Sequence, residues 1–174
     1  MSKKLILAGG SGFLGRSFAD YITKRGYEAV ILSRRKYEDS DSIKFVVWDG
    51  KTIGNWCKEL EDAEAVVNFT GKSVNCIYTE KNKKEIIDSR VNSVKVMDEA
   101  VKQAENPPKI MIQAGSLAIY GDTTQLCDED AAHGEGFSVE VSKNGKRHFL
   151  KRRSLIQEKS CSESGLCWEK TAVL

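Results

Sequence analysis

No stretch of the chain approaches the roughly 18 consecutive apolar residues that a membrane span requires, so no spanning helix is expected. Charge of one sign is also missing. The 27 Lys and Arg residues face 25 Asp and Glu, a net charge of +2, which gives no electrostatic case for nucleic acid or an anionic membrane as partner. The cysteines are Cys57, Cys76, Cys127, Cys161 and Cys167, and no two of them stand in Cys-x-x-Cys spacing. Their odd number and scatter read as reduced thiols in a cytoplasmic protein, with no metal site expected. Internal repeats are absent. The opening MSKK enters LILAGG, an apolar run too short and too rich in glycine for a signal peptide. What is left is an ordinary globular composition, 40% hydrophobic and 30% charged, in 174 residues: enough for one core and short for two.

Two hydrophobic periods alternate along the chain. Short apolar runs at residues 4–8, 29–33, 43–48, 65–69 and 109–114 read as strands. Between them lie helical patterns. Residues 12–25 carry Leu14, Phe18 and Ile22 at four-residue steps, and Gly26 stands where a C-capping glycine belongs. A short helix is expected near residues 56–60. A long one is expected over 79–105, with Ile87, Val91, Val94, Met97, Val101 and Ala104 facing inward and Pro107-Pro108 as its stop. Strand–helix alternation of this kind predicts an α/β fold with a doubly wound parallel sheet.

The first strand–helix turn reads Gly9-Gly10-Ser11-Gly12-Phe13-Leu14-Gly15, a G-x-x-G-x-x-G pattern. At that position each glycine has a physical task. Gly9 permits the tight turn, Gly12 lets backbone approach a pyrophosphate, and Gly15 lets the helix pack close to the strand. The helix N-terminus then offers free N–H groups to phosphate oxygens. An NAD site of this kind ends its second strand with an acidic residue on the ribose 2′-OH. Here the strand ends Ser33-Arg34-Arg35-Lys36. Cations suit a 2′-phosphate, which favours NADP over NAD as cofactor. The same run also has a plain reading, as a solvated charge cluster after a strand.

The phrases LILAGGSGFLG, ILSRR, WDGKTIGNW, VVNFTGKSVN, YTEKNKKEIIDSRV and QAGSLAIYGD follow one another in this order. Together they resemble an epimerase-like group of atypical, extended short-chain dehydrogenases/reductases, of the NAD-dependent epimerase/dehydratase type, over residues 1 to about 144. The resemblance implies an NAD(P)-binding Rossmann fold. It implies that Gly9, Ser11, Gly12, Phe13 and Leu14 line the pyrophosphate, that Arg34 faces the adenosine phosphate, and that Asn68, Thr70 and Gly71 lie along the cofactor near its ribose. It also directs Arg90 toward the same crevice and gives Ser116 the task of orienting a substrate carbonyl or hydroxyl. Asn68 as a loop cap and Arg90 as a surface ion pair stay open as plainer readings.

One departure bears on catalysis. The wider superfamily places Tyr-x-x-x-Lys on the helix after that serine, and the corresponding GFSVEVSKN has no tyrosine: Val139 stands four residues before Lys143. Tyr120, the nearest phenol, matches a structural phrase of the family. Two functions therefore follow as expectations: hydride transfer on an unidentified carbonyl or hydroxyl small molecule in the full-length relative, or non-catalytic binding and sensing of the dinucleotide. After Asn144 the family pattern stops. Residues 1–144 are expected to form a partial Rossmann domain truncated after about five strands, and residues 145–174 an aberrant tail, disordered or weakly helical, with no amphipathic helix of useful length. Read two bases later, codons permitted by the final SGLCWEKTAVL spell IGIVLGKNGGA, the strand and glycine turn with which the family continues. The tail is accordingly expected to be an out-of-frame translation, and the product to be inactive.

Overall fold

Parallel strands are buried on both faces, so they form from near-continuous apolar runs rather than alternating ones. Five such runs become strands here: β1 (Lys3–Ala8), β2 (Tyr27–Ser33), β3 (Ile43–Val47), β4 (Ala65–Asn68) and β5 (Ile110–Gln113). The computed structural model describes the backbone of residues 3–160 and the side chains of residues 3–150. All neighbouring strands pair in parallel, in the order β3-β2-β1-β4-β5, which is the expected doubly wound sheet. Leu7 of β1 lies opposite Ile31 of β2 and Val67 of β4, so the centre of the sheet is aliphatic across three strands.

The two-residue period of a strand sorts these side chains onto two faces. Ile6, Val30, Leu32 and Val66 meet Trp56, Leu60, Val96, Met97 and Ala100 on one side. Leu7, Ile31, Phe45 and Val67 meet Ala19 and Ile22 on the other. The helix supplying Ala19 and Ile22 is α1 (Phe13–Thr23), and the one supplying Val96 to Ala100 is α2 (Glu80–Gln103). A 3₁₀ helix at Asn55–Leu60 adds Trp56, whose ring stands edge-on to Trp48 at 5.1 Å between centroids. Each fully buried Ile or Leu in these layers contributes roughly 1.5–3 kcal/mol of transfer free energy. The helix ends follow their sequence signals. Thr79 accepts a hydrogen bond from the Asn82 N–H at the start of α2, and Gly26, at φ +81°, closes α1.

Three expectations need correction. Leu14 does not belong to the buried stripe of α1: it is 65% exposed, and the buried positions are Gly15, Ala19 and Ile22. Leu14 sits in the first turn, which overhangs the end of the sheet. On α2 it is Ile86, not Ile87, that reaches the core, and Ala104 is the C-cap. α2 is packed on two sides, and Ile87 lies in the groove shared with α3 (Phe137–Ser160). Lastly, α3 runs across Asn144 without a break, where no helix of useful length was expected. Among the residues whose side chains are described, Val139 is buried, as are Val141, Gly145 and Phe149 at four-residue steps, on a helix packed against α2 and the 3₁₀ turn Leu117–Tyr120. The expectation for residues 161–174 lies outside the described residues. Among those described, no helix is long and apolar enough to cross a membrane, and Cys57, Cys76 and Cys127 are free.

Candidate functional site

The chain leaves β1 toward β2 on one side of the sheet and reaches β4 on the other, so the strand order reverses between β1 and β4. In open α/β sheets a crevice forms outside the carboxyl ends of the strands at this point. Two segments meet there, the glycine turn after β1 and Phe69–Lys72 after β4. The Gly9 N–H donates to the Leu32 carbonyl at 2.8 Å, and the Phe69 N–H to the Ala8 carbonyl at 2.8 Å, which fixes both turns to the sheet.

The three motif glycines differ in what surrounds them. Gly9 has φ +69°, a conformation that L side chains rarely adopt, and a Cβ there would meet the Thr70 backbone at 2.8 Å. A Cβ on Gly15 would overlap the backbone of Gly10. A Cβ on Gly12 meets no protein atom within 4 Å. Gly10, not singled out from the sequence, is also closely packed: a Cβ there would lie 2.8 Å from that of Leu7.

Gly12 is the N-cap of α1 and has no side chain to satisfy the first-turn N–H groups, and no acidic residue stands in that turn. α2 in the same protein is capped by Thr79, so the open α1 terminus is a local feature of this turn. Uncapped N–H groups and the positive end of the helix dipole together favour an anion. Ser11 is half-buried beside this terminus. Phe13 and Leu14, 84% and 65% exposed, give the mouth an apolar wall.

The second strand delivers its basic residues to the same end. Ser33 is buried, and its hydroxyl donates to the Arg35 carbonyl, so it braces the turn rather than facing the crevice. The Arg34 and Arg35 side chains are exposed, and their guanidinium groups make no hydrogen bond or ion pair with the other described residues. Lys36 donates to Asp39 and to the Phe45 carbonyl, and the Lys36 ammonium together with the Phe45 N–H holds the Asp39 carboxyl below the usual carboxylate range.

At the end of β4 the structure separates residues that the sequence groups together. Asn68 is 2% exposed, and its side chain is spent inside the protein. Its amide donates to Ser93 Oγ at 3.2 Å and Gln113 Oε1 at 2.9 Å, and its carbonyl oxygen accepts the Thr70 N–H at 2.9 Å. It thus sets the path of the loop and does not reach the crevice. Thr70 Oγ1 lies against Gly9, buried and without a hydrogen-bond partner. A Cβ on Gly71 would lie 2.8 Å from the Arg90 guanidinium carbon, so a side chain there would displace that group. Arg90 donates to the carbonyls of Lys72 and Ile86, and burial pushes its pKa below the usual arginine value. It is therefore a brace for the loop after β4 and forms no surface ion pair.

Ser116 is exposed beyond β5, where its Oγ accepts the Ala118 N–H at 3.2 Å. Near it, potential proton donors are engaged elsewhere. The Tyr120 hydroxyl donates to the Asp128 carbonyl at 2.7 Å, and Lys143 Nζ donates to the Gly134 carbonyl at 3.1 Å. Val139 is 2% exposed and packed inward. No cluster of His, Cys, Asp and Glu suited to a metal ion is found among the described residues.

Sequence reading missed Ser93, Gln113 and Arg16. The polar end of the apolar run IMIQ was a signal for Gln113. For Arg16, which bonds the Ser11 carbonyl and stacks on Tyr37, the sequence carries no signal.

Comparison with known proteins bears on the whole site. Residues 5–140 match the profile of the NAD dependent epimerase/dehydratase family. Epimerase family protein YfhF of Bacillus subtilis is 29% identical over 136 residues, which is 76% of this chain and 45% of that protein. Human epimerase family protein SDR39U1 is 26% identical over 76% of this chain and 43% of its own length. The crystal structure of human SDR39U1 (isoform 2) with NADPH superposes with a TM-score of 0.70 at 24% identity, over 84% of this chain and 48% of that one. The UDP-glucuronic acid 4-epimerase of Bacillus cereus, in complex with UDP-glucuronic acid and NAD, superposes with a TM-score of 0.73 at 15% identity, over 87% and 52%. The chain thus spans about half the length of the relatives it matches.

Proposed function

The chain belongs to the NAD dependent epimerase/dehydratase family, and on that premise we propose that its β1–β4 crevice binds a nicotinamide dinucleotide, with NADP preferred over NAD. One observation carries the reading. The uncapped N-terminus of α1 stands beside Gly12, where a side chain would meet no protein atom but would fill the approach to the helix. The residues fit the group in two further ways: among the described residues Thr70 Oγ1, buried in the crevice wall, has no hydrogen-bond partner, and neither do the Arg34 and Arg35 guanidinium groups. Pyrophosphate would lie on the Ser11–Leu14 amides and the adenosine end beside Arg34. The human relative's structure is with NADPH and the Bacillus cereus epimerase's with NAD, so the preference rests on Arg34 and Arg35. Arg34→Ala is expected to weaken NADP by roughly 1–3 kcal/mol, the range of a charge-assisted contact, and to leave NAD nearly unchanged. Calorimetric titration of both cofactors checks this; an equal loss for both would refute the preference.

A bound nicotinamide supplies a hydride acceptor or donor. In the full-length relative the reading is hydride transfer on an unidentified carbonyl or hydroxyl compound, with Ser116 orienting it. A second reading, dinucleotide binding without turnover, is favoured by Val139 at the tyrosine position and by the capture of Tyr120 and Lys143 by backbone carbonyls. We assign the second to this chain, in a cytoplasmic setting that suits the free thiols of Cys57, Cys76 and Cys127. Oxidation of NADPH by the purified chain with any of a panel of carbonyl compounds would overturn that assignment. We propose further that residues 1–144 are the family's segment and residues 145–174 its continuation translated out of frame. The gene sequence is expected to give the family's strand and glycine turn in the shifted frame; codons that do not would dispose of the idea.

A further inference from the structure

We infer that Arg16 is a specificity-determining residue for the dinucleotide, its guanidinium fork sharing the ribose 2′-phosphate with Arg34. The inference rests on the dinucleotide reading above. Arg16 stands in the first turn of α1, exposed, and three contacts hold its side chain. Nε donates to the Ser11 carbonyl at 3.0 Å. The guanidinium carbon lies 4.9 Å from the Tyr37 ring centre and 5.5 Å from that of Phe45. Tyr37 and Phe45 support each other, with ring centres 5.1 Å apart.

These contacts leave the working edge of the group unused. The Nε bond takes one of five N–H donors, and neither terminal nitrogen has a partner among the described residues. The charge is not neutralised either. Of the carboxylates in the same loop, Glu38, Asp39 and Asp41, none is ion-paired with Arg16 among the described residues, and Asp39 is held by Lys36 and by the Phe45 N–H, both at 2.7 Å. A planar fork whose face rests on aromatic rings and whose Nε is pinned has already lost most of its rotamer freedom, so less is lost when it binds. The ligand that matches it is a tetrahedral dianion taken in bidentate fashion.

Position selects which dianion. Ser11 belongs to the turn assigned to the pyrophosphate, and Tyr37 to the loop that begins with Arg34 and Arg35. Arg16 therefore bridges the phosphate turn to the end of β2, the place where this fold meets the adenosine ribose. A purely structural stacking role would affect NAD and NADP alike, whereas contact with the 2′-phosphate would affect NADP alone.

The test is titration of the full chain and its variants with NADP, NAD, 2′,5′-ADP and 5′-AMP, alongside thermal unfolding. Arg16→Ala is expected to raise the Kd for NADP and 2′,5′-ADP by about tenfold or more, and those for NAD and 5′-AMP by less than about threefold. Arg16→Lys keeps the charge but not the fork or the Nε bond, and should fall between; it also stands in if the alanine variant unfolds. An unchanged NADP-to-NAD ratio in both variants overturns the inference and leaves the dinucleotide site standing. Failure of the unmutated chain to bind any of the four removes the underlying reading and this inference with it.

Discussion

Gly12→Val is expected to abolish dinucleotide binding without unfolding the domain. The two halves of this result have separate causes. The backbone of Gly12 is extended, at φ −81° and ψ −179°, a conformation open to valine, and a Cβ there meets no protein atom within 4 Å. The fold thus loses only what a poorer N-cap residue costs, about 1 kcal/mol. The phosphates lose more. Two methyl groups on that Cβ would stand in front of the uncapped first-turn N–H groups of α1. Loss of two charge-assisted contacts, at roughly 1.5–3 kcal/mol each, corresponds to at least about a hundredfold in Kd. Calorimetry reads the loss, and circular dichroism with thermal melting reads the intact fold. Binding retained by the variant would mean that this turn does not hold phosphate.

Gly15→Val, three residues on in the same motif, is expected to do the opposite. Its Cβ would overlap the backbone of Gly10, which is itself pressed against Leu7. Backbone cannot rotate aside as a side chain can, so α1 must lift off the sheet and carry Ala19 and Ile22 away from Leu7, Ile31 and Val67. Overpacking of this kind costs about 3 kcal/mol or more, against a total stability of roughly 5–15 kcal/mol for a domain. In a chain of this length that is a fall of about 6–12 °C in Tm. A differential scanning melt of Gly15→Val within a degree or so of the unmutated protein would show that α1 does not pack as closely as described. The two variants together separate the glycine that serves the ligand from the one that serves the fold.

Much of this architecture was legible because each strand is a local signal. Runs such as LILA and AVVN are apolar throughout, as strands buried on both faces must be, and the glycine turn sits at the first strand–helix junction where its spacing has meaning. The long helix was legible from its period, but its burial was one residue off at Ile86, because packing against α3 on a second side broadens the stripe. The fate of Asn68 was not legible. Its partners Ser93 and Gln113 are 25 and 45 residues away along the chain, and only the fold brings them to it. Arg90 turned inward for the same kind of reason, finding carbonyls at Lys72 and Ile86. The helix across Asn144 was hidden by Gly145, which reads as a breaker on propensity alone. In the structure Val141 and Phe149, on either side of Gly145, are buried on a helix packed against α2 and the turn Leu117–Tyr120, so the packing of the helix outweighs the local preference.

The central claim is one of place: a nicotinamide dinucleotide on the turn after β1 and the loop after β4. Amide chemical-shift mapping of the isotope-labelled chain during titration with NADP tests it most directly. The account predicts saturable shifts concentrated at Gly9 to Gly15, at Arg34 and Arg35, and at Thr70 and Gly71, with the α2–α3 groove around Ile87 and Glu140 unmoved. Shifts centred on that groove, or no saturable shifts at all, would contradict it.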